Sequence, residues 1–549
     1  MKRAQSVKRI SSHSPKSSGK LFFSGVLVLT LSTMTVKVIG LLVKILLFDH
    51  LGEDGMAYFN AAYTIYSAFF ILSTAGFPVA VSILISESRA RGDIKRVKQI
   101  FWIAFSLFVL IGFTGMAIMF GGADFFAEYI RMPSAAQAIR AISPTLFLIC
   151  ISSAIRGYFQ GYQIMFPTAV SQVIEACGKL FIGIALAKYA LDRGYSVQTA
   201  AAYAIFGVSI GVAISMLFLI VTRVFYRPCN ELVIDAEPTR SGEILRRLIS
   251  IAVPVTISAL VMSLTQIIDT LLIVSRLQDA GFVAAVAERM YGNYTTLVIP
   301  LFNLTPALIT PISMALVPML TLAIKSGDRN RIRESMDSAL RLTILIALPC
   351  AIGLCVFSRP ILLLLFSGSG ESVEMAAPLL ATLAISVLFV ALLNVTNSIL
   401  QAYGQERKPI YSMLAGSAIK IFASYILLGI PSINLFGAPI GTFLCHLTAT
   451  AINFYFIARY THHLGSVMHL FFKPLLAAVG GIGGALGIYL LLASRLGESK
   501  QLTLCAIGLA MLAYFTFILC LRAVTEKDVQ MLPGGEKLAG ILKRLKLLK

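Results

Sequence analysis

The sequence predicts an all-α polytopic membrane protein of about fourteen transmembrane helices, arranged as two six-helix lobes in parallel pseudo-repeat plus two extra C-terminal helices. Three observations carry that prediction. Hydrophobic residues fill 57% of 549 positions and charged residues only 13%, at a mean hydropathy of +0.84. A soluble domain is about 45–50% apolar and about 25% charged, so here the surface as well as the core is built for hydrocarbon. Apolar runs of about 20 residues, enough for a helix to cross a bilayer core of roughly 30 Å, recur along nearly the whole chain. Finally, basic residues concentrate in alternate connectors.

The runs fall at 21–48, 56–86, 99–121, 135–159, 165–189, 197–222, 247–275, 291–323, 336–357, 375–402, 409–430, 436–458, 470–494 and 501–523. The first follows a basic stretch, 1–20, with no small-residue cleavage site after a short apolar core, and is read as a retained helix. Runs one to six form a first lobe, 21–222, and runs seven to twelve a second, 247–460; between them 223–246, with Glu231, Asp235, Glu237 and Arg240, is the inter-lobe linker. Runs thirteen and fourteen, 464–524, stand outside the duplication. In the tail, 525–549, Leu538, Ile541, Leu542, Leu545 and Leu548 share one helical stripe while Lys537, Lys543, Arg544, Lys546 and Lys549 fill the remainder. That pattern predicts an interfacial helix.

Net charge is +20, from 46 Lys and Arg against 26 Asp and Glu. Placing the N-terminus inside puts about 32 of the basic residues in inner segments and about 9 in outer ones, as the positive-inside rule requires. Arg89, Arg91, Lys95, Arg96 and Lys98 are inside, as are Lys325, Arg329, Arg331 and Arg333, whereas the first outer connector, Asp49 to Asp54, is acidic. The alternation holds to the end, so both termini are expected in the cytoplasm of a multi-pass cell-membrane protein. The positive charge therefore answers to topology and anionic lipids rather than nucleic acid. Eight cysteines show no metal or redox spacing, and neither a disulfide nor a metal is expected.

An internal repeat supports the two lobes. Gln160-Gly161-Tyr162-Gln163 leads to Gly178-Lys179-Leu180-Phe181, and Gln401-Ala402-Tyr403-Gly404 leads to Ile419-Lys420-Ile421-Phe422. Run two likewise leaves through Arg91-Gly92-Asp93, and run eight through Ser326-Gly327-Asp328. Copies six helices apart share one orientation, which makes the repeat parallel.

Charge within hydrocarbon costs about 2.5–3.5 kcal/mol even on a lenient scale, so ionisable groups in the runs are candidate functional residues. These are Lys37 and Lys44 in run one, Arg156 in run four, Glu175 and Lys179 in run five, Asp269 in run seven and Lys420 in run eleven. A cavity ringed by ammonium groups suits an anionic substrate such as a phosphate or pyrophosphate headgroup. Five of them have a plainer alternative. Lys44 and Arg156 can snorkel to opposite interfaces, Glu175 and Lys179 can neutralise each other at i,i+4, and Asp269, a candidate ion-coupling site, can pair with a basic residue. His446 is read as a packing residue. Pro300, Pro306, Pro311 and Pro318 in run eight, with Asn394 and Asn397 in run ten, mark helices suited to bending during alternating access. No P-loop, zinc-protease or hydrolase motif occurs. Transport without a cofactor is expected, driven by a coupling ion (H+ or Na+), by membrane potential or by the substrate's own gradient.

Three stretches resemble one family. Ser32-Thr-Met-Thr-Val-Lys-Val-Ile-Gly-Leu-Leu-Val-Lys44 resembles the opening helix of the multidrug/oligosaccharidyl-lipid/polysaccharide exporter superfamily, and Ser73-Thr-Ala-Gly-Phe-Pro78 continues the match. The stretch from Ile155 to Glu175, through Arg156-Gly-Tyr-Phe-Gln-Gly161, is similar to the fourth-to-fifth helix junction of the polysaccharide biosynthesis branch that holds stage V sporulation protein B and the lipid II flippases. The resemblance spans about 20–525. It implies a flippase carrying a lipid-linked cell-wall precursor from inner to outer leaflet, in peptidoglycan or spore-cortex synthesis, with the pyrophosphate-sugar headgroup in a basic cavity and the tail along a groove at the two extra helices. Lys37 matches a basic first-helix position of that branch; at the next basic position this chain has Val43, with Lys44 beside it. The expected partners are the lipid-linked oligosaccharide, anionic lipids and cell-wall synthesis machinery, for a monomer. The alternatives are export of another lipid-linked polysaccharide unit, a multidrug/cation antiporter, which would favour acidic cavity residues, and a membrane glycan transferase, which would need an acidic site in a sizeable loop.

Overall fold

The computed structural model describes residues 15–225, 240–366, 370–461, 467–497 and 499–521. The basic start up to residue 14, most of the linker and the amphipathic tail from 522 onward lie outside the described residues. Everything described is helix and short connection, with no β-strand among the described residues.

The first half comprises α1 (Pro15–Thr74), α2 (Phe77–Ala90), α3 (Ile94–Gly121), α4 (Ala123–Tyr129), α5 (Ala136–Gly161), α6 (Phe166–Asp192) and α7 (Val197–Phe225). The second comprises α8 (Ser241–Asp279), α9 (Ala284–Asn293), α10 (Ile299–Ser326), α11 (Arg329–Val356), α12 (Ser358–Leu365), α13 (Gly370–Ala384), α14 (Ser386–Ala402), α15 (Arg407–Leu428) and α16 (Gly437–Thr461). Last come α17 (Val467–Leu496) and α18 (Lys500–Cys520), which pack on each other and on α11 and α12. The Tyr514 hydroxyl of α18 donates to the Leu345 carbonyl of α11 at 2.6 Å.

Twelve stretches among the described residues are long and apolar enough to cross a membrane. The expected fourteen crossings follow from two details. One stretch, Leu31–Arg89, is 59 residues long, about 90 Å if straight and roughly three bilayer cores. It turns back at Gly52, whose φ of 65° and ψ of −167° only glycine adopts without strain. Two expected runs thus meet at one glycine. The other detail is α10, which supplies run eight.

Run two is itself interrupted. Pro78 has no amide hydrogen, so the helix stops at Thr74 and restarts at Phe77. The Gly76 amide donates instead to Thr256 Oγ1 of α8 at 3.2 Å, and a Cβ on Gly76 would sit 2.0 Å from the Ala252 carbonyl oxygen. Only glycine allows α8 this close.

The repeat is visible in backbone detail. At the start of α6, Gln163 takes a left-handed φ of 60°, with its amide on Gln160 O at 2.9 Å and that of Ile164 on Phe159 O at 2.9 Å. At the start of α15, Gly404 takes φ 70°, with Gln401 O and Leu400 O accepting at 2.9 Å in the same pattern. Asp93 and Asp328 both cap their helices, accepting from Arg96 N at 2.9 Å and Arg331 N at 3.0 Å.

The halves meet along α1 and α2 on one side and α8, α9 and the head of α10 on the other. At the acidic end the seam is dense with polar contacts. Asp54 pairs with Arg289 at 3.0 Å, the Tyr58 hydroxyl donates to Glu288 at 3.0 Å, Arg131 pairs with Asp279 at 2.5 Å, and Glu53 accepts from Asn293 at 3.0 Å and from the Ser372 hydroxyl. Hydrogen bonding from Arg131, with Arg276 behind it, holds the Asp279 carboxyl below the usual range, whereas burial pushes that of Glu288 up. At the basic end Arg247 pairs with Glu87 at 2.7 Å and Gln99 donates to Ser241 at 3.3 Å.

Candidate functional site

The sequence-predicted charges resolve into three groups. The first lies on the seam. Lys37 and Lys44, seven residues apart, share a face of α1, and both reach toward α10 and the turn before it. Residues Tyr294–Val298 form a π-helical turn, in which the Ile299 amide bonds Tyr294 O. The Thr295 carbonyl would then look to residue 300 for its donor, and Pro300 has none. Lys44 Nζ supplies it, at 2.5 Å from Thr295 O. The reading in which Lys44 snorkels to an interface is therefore replaced: the ammonium satisfies a carbonyl orphaned by register and proline together. Lys37 Nζ approaches Asn303 O at 3.5 Å, the outer limit of a hydrogen bond.

Lys179 joins this group from α6. Its ammonium sits 4.1 Å from the Tyr63 ring centroid and 5.4 Å from that of Phe59, within cation–π range. It is close enough to Lys44 for the two charges to interact. Among the described residues no carboxylate forms an ion pair with Lys37, Lys44 or Lys179. An ammonium held by rings and carbonyls, with no carboxylate at ion-pair distance, leaves N–H donors open to an anion.

The second group is Arg156 and Glu175. Arg156 of α5 is 9% exposed; its Nε donates to Ser171 Oγ at 3.0 Å and its Nη2 pairs with Glu175 at 3.1 Å. Arg156 does not snorkel, and the ion pair of Glu175 runs to α5 rather than along its own helix to Lys179.

The third group is separate. Lys420 is fully buried and pairs with Asp269 at 2.8 Å, while its ammonium also donates to Thr442 Oγ1 at 2.9 Å. Asp269 thus takes the basic partner that the sequence left open, and α8, α15 and α16 are tied through one ammonium. His446 is buried beside it, its Nδ1 2.9 Å from Thr442 O and its ring 6.2 Å from Phe302.

The residues expected to permit bending lie in α10 and α14. Helix α10 continues through Pro306 and Pro311, and the Thr310 hydroxyl donates to Pro306 O at 3.0 Å; the side chains of Pro311 and Pro318 lie outside the described residues. Asn397 accepts from Asn453 of α16 at 2.6 Å, and Asn394 is half-buried one turn away. Sequence reasoning missed Tyr63, Thr295, Thr442 and the partners across the acidic seam. Only Pro300, five residues after Thr295, left a trace in the sequence, because a proline within a continuous helical stretch frees a carbonyl four residues upstream, or five in a π-turn.

Comparison with known proteins gives the lineage. The profile of the polysaccharide biosynthesis protein family matches residues 22–324, and that of the MatE family matches 254–426. The chain is 25% identical over 457 residues to the lipid II flippase MurJ of Bacillus subtilis (strain 168), covering 79% of this chain and 82% of that one. It is 26% identical over 424 residues to stage V sporulation protein B of the same organism, covering 76% and 80%. In fold it resembles the inward closed structure of a lipid II flippase MurJ, with a TM-score of 0.67 at 13% identity over 89% of this chain and 98% of that one. A seam-crossing lysine cluster on this scaffold, in a chain matched by both profiles, belongs to a multi-pass membrane transporter: the protein is a member of the polysaccharide biosynthesis protein family, within the multidrug/oligosaccharidyl-lipid/polysaccharide exporter superfamily.

Proposed function

We propose that this protein is a flippase for a lipid-linked glycan precursor bearing a pyrophosphate, of the lipid II type, and has no enzymatic chemistry of its own. One observation carries the reading: Lys37, Lys44 and Lys179 gather at the seam between the halves with no carboxylate ion-paired to them among the described residues. An ammonium at bilayer depth without an ion-paired carboxylate is costly unless an anion visits it, and a pyrophosphate matches two neighbouring ammoniums. Kinship to a lipid II flippase and a sporulation protein supports the same cargo. The charge bias of the connectors supports a cell-membrane location with cytoplasmic termini, so that cargo enters from the basic end and leaves at the acidic end.

Reversal of Lys37, Lys44 or Lys179 to Glu should abolish rescue of a flippase-depleted Bacillus strain and translocation of lipid II in reconstituted vesicles, with the variant chains still folded and inserted. Full rescue by all three would defeat the proposal. The MatE match over 254–426 favours drug export as the second reading; a drug-resistance profile without lipid II translocation would put that reading first.

A further inference from the structure

We propose that a cleft between the two halves binds one acyl chain of an anionic phospholipid, with the lipid phosphate against Arg131. The cleft has a volume of about 260 Å³ and takes its walls from Ala68 and Phe69 of α1, Phe125 and Phe126 of α4, and Ile267 and Leu271 of α8. It therefore lies apart from the lysine cluster and has one wall from each half. The two threonines on its surface have their hydroxyls engaged: Thr64 donates to Asn60 O at 3.0 Å, and Thr270 to Gln266 O at 3.2 Å. A water molecule needs about two to four polar partners, and these walls offer only the two engaged threonine hydroxyls and the Tyr129 hydroxyl at the rim. Hydrocarbon is the natural filling.

Depth and charge say which hydrocarbon. Leu271 lies eight residues before Asp279, the end of α8, or about 12 Å along the helix, so the cleft opens within the bilayer leaflet at the acidic end. Phe125 and Tyr129, both about two-thirds exposed, form its rim. Ile130 lines it, and the next residue is Arg131. Arg131 takes φ 55°, with its amide on Glu128 O and that of Met132 on Ala127 O, both at 2.9 Å. That helix ending normally uses glycine, so Arg131 is held next to the lining residue Ile130 at a cost in backbone strain. Its Nη1 donates to Asp279 at 2.5 Å and to Ser275 O at 3.1 Å, while the side chain as a whole remains 47% exposed. Arg276 shares the same carboxylate at 3.0 Å. Two guanidiniums against one carboxylate leave a net positive charge, and the outward N–H donors of Arg131 suit a phosphate.

The test uses the purified full-length chain in nanodiscs containing photoactivatable phosphatidylglycerol or phosphatidylcholine with the reactive group on the acyl chain. Phosphatidylglycerol should label the peptides holding Phe125 and Ile267 roughly tenfold more than phosphatidylcholine, because both present a phosphate to Arg131 but the choline cation is repelled by the net positive charge of Arg131 and Arg276 around Asp279. Ala68→Trp, or the milder Ala68→Leu, should remove the labelling, and Arg131→Gln should erase the headgroup preference. Leu512→Trp, on the exposed face of α18, should change neither. Equal labelling by the two lipids in the unaltered protein, or labelling that survives both Ala68 substitutions, would overturn the proposal. So would preferential labelling by a polyprenyl-chain probe, which would give the cleft to the cargo's tail.

Discussion

Lys179 and Lys420 hold the same place in the two copies of the repeat, about three and a half turns into a helix entered through the same left-handed turn, yet they live in opposite electrostatic worlds. Lys179 rests on the rings of Tyr63 and Phe59 beside Lys44 and keeps its charge facing the seam. Lys420 is fully buried, pairs with Asp269 and bonds Thr442. Duplication conserves the position of a charge; its role is decided by what the neighbouring helix presents. Where α1 offers aromatic faces the lysine rests on rings without an ion-paired carboxylate among the described residues, and where α8 offers a carboxylate it becomes a tie between helices.

That contrast breaks most visibly at Lys420. Lys420→Ala leaves Asp269 charged and buried, at a cost of about 3–5 kcal/mol, and should lower the thermal midpoint in detergent sharply, with Lys420→Met joined to Asp269→Leu recovering much of the loss. Lys44→Met comes next: it strips the donor from the Thr295 carbonyl and should cost about 1–3 kcal/mol in the same unfolding assay, besides impairing transport. Lys179→Met sharpens the comparison from the other side. Losing its cation–π contacts should cost about 0.5–2 kcal/mol of stability while eliminating lipid II translocation, so stability and transport would separate at Lys179 and fall together at Lys420. A variant of Lys179 as unstable as that of Lys420 would erase the distinction.

The smallest effect concerns the acidic seam, where Glu288 and Asp279 should respond to pH with opposite sign. The raised Glu288 carboxyl binds its proton more readily folded than unfolded, so its contribution to stability falls as pH rises from about 4.3, the ordinary Glu value. The depressed Asp279 carboxyl contributes stability above about 3.9, the ordinary Asp value, and loses it as pH falls through its lowered folded pKa. Unfolding followed from pH 3 to 6 in Glu288→Gln and Asp279→Asn should therefore flatten opposite slopes.

The sequence by itself determined the helices and their order, because crossing hydrocarbon demands an uninterrupted apolar run and each run is local in the chain. It also determined the repeat, since Gln163 with Gly404 and Asp93 with Asp328 act within a few residues of themselves. Even the pair of runs meeting at Gly52 was readable from an acidic connector between two apolar stretches. The tertiary structure alone decided which charges meet. Asp269 finds Lys420 151 residues away, Lys44 finds the Thr295 carbonyl 251 away, and Asp54 finds Arg289 235 away. A side chain's electrostatic fate depends on the face its helix turns to a distant neighbour, and no periodicity within one helix records which neighbour that will be.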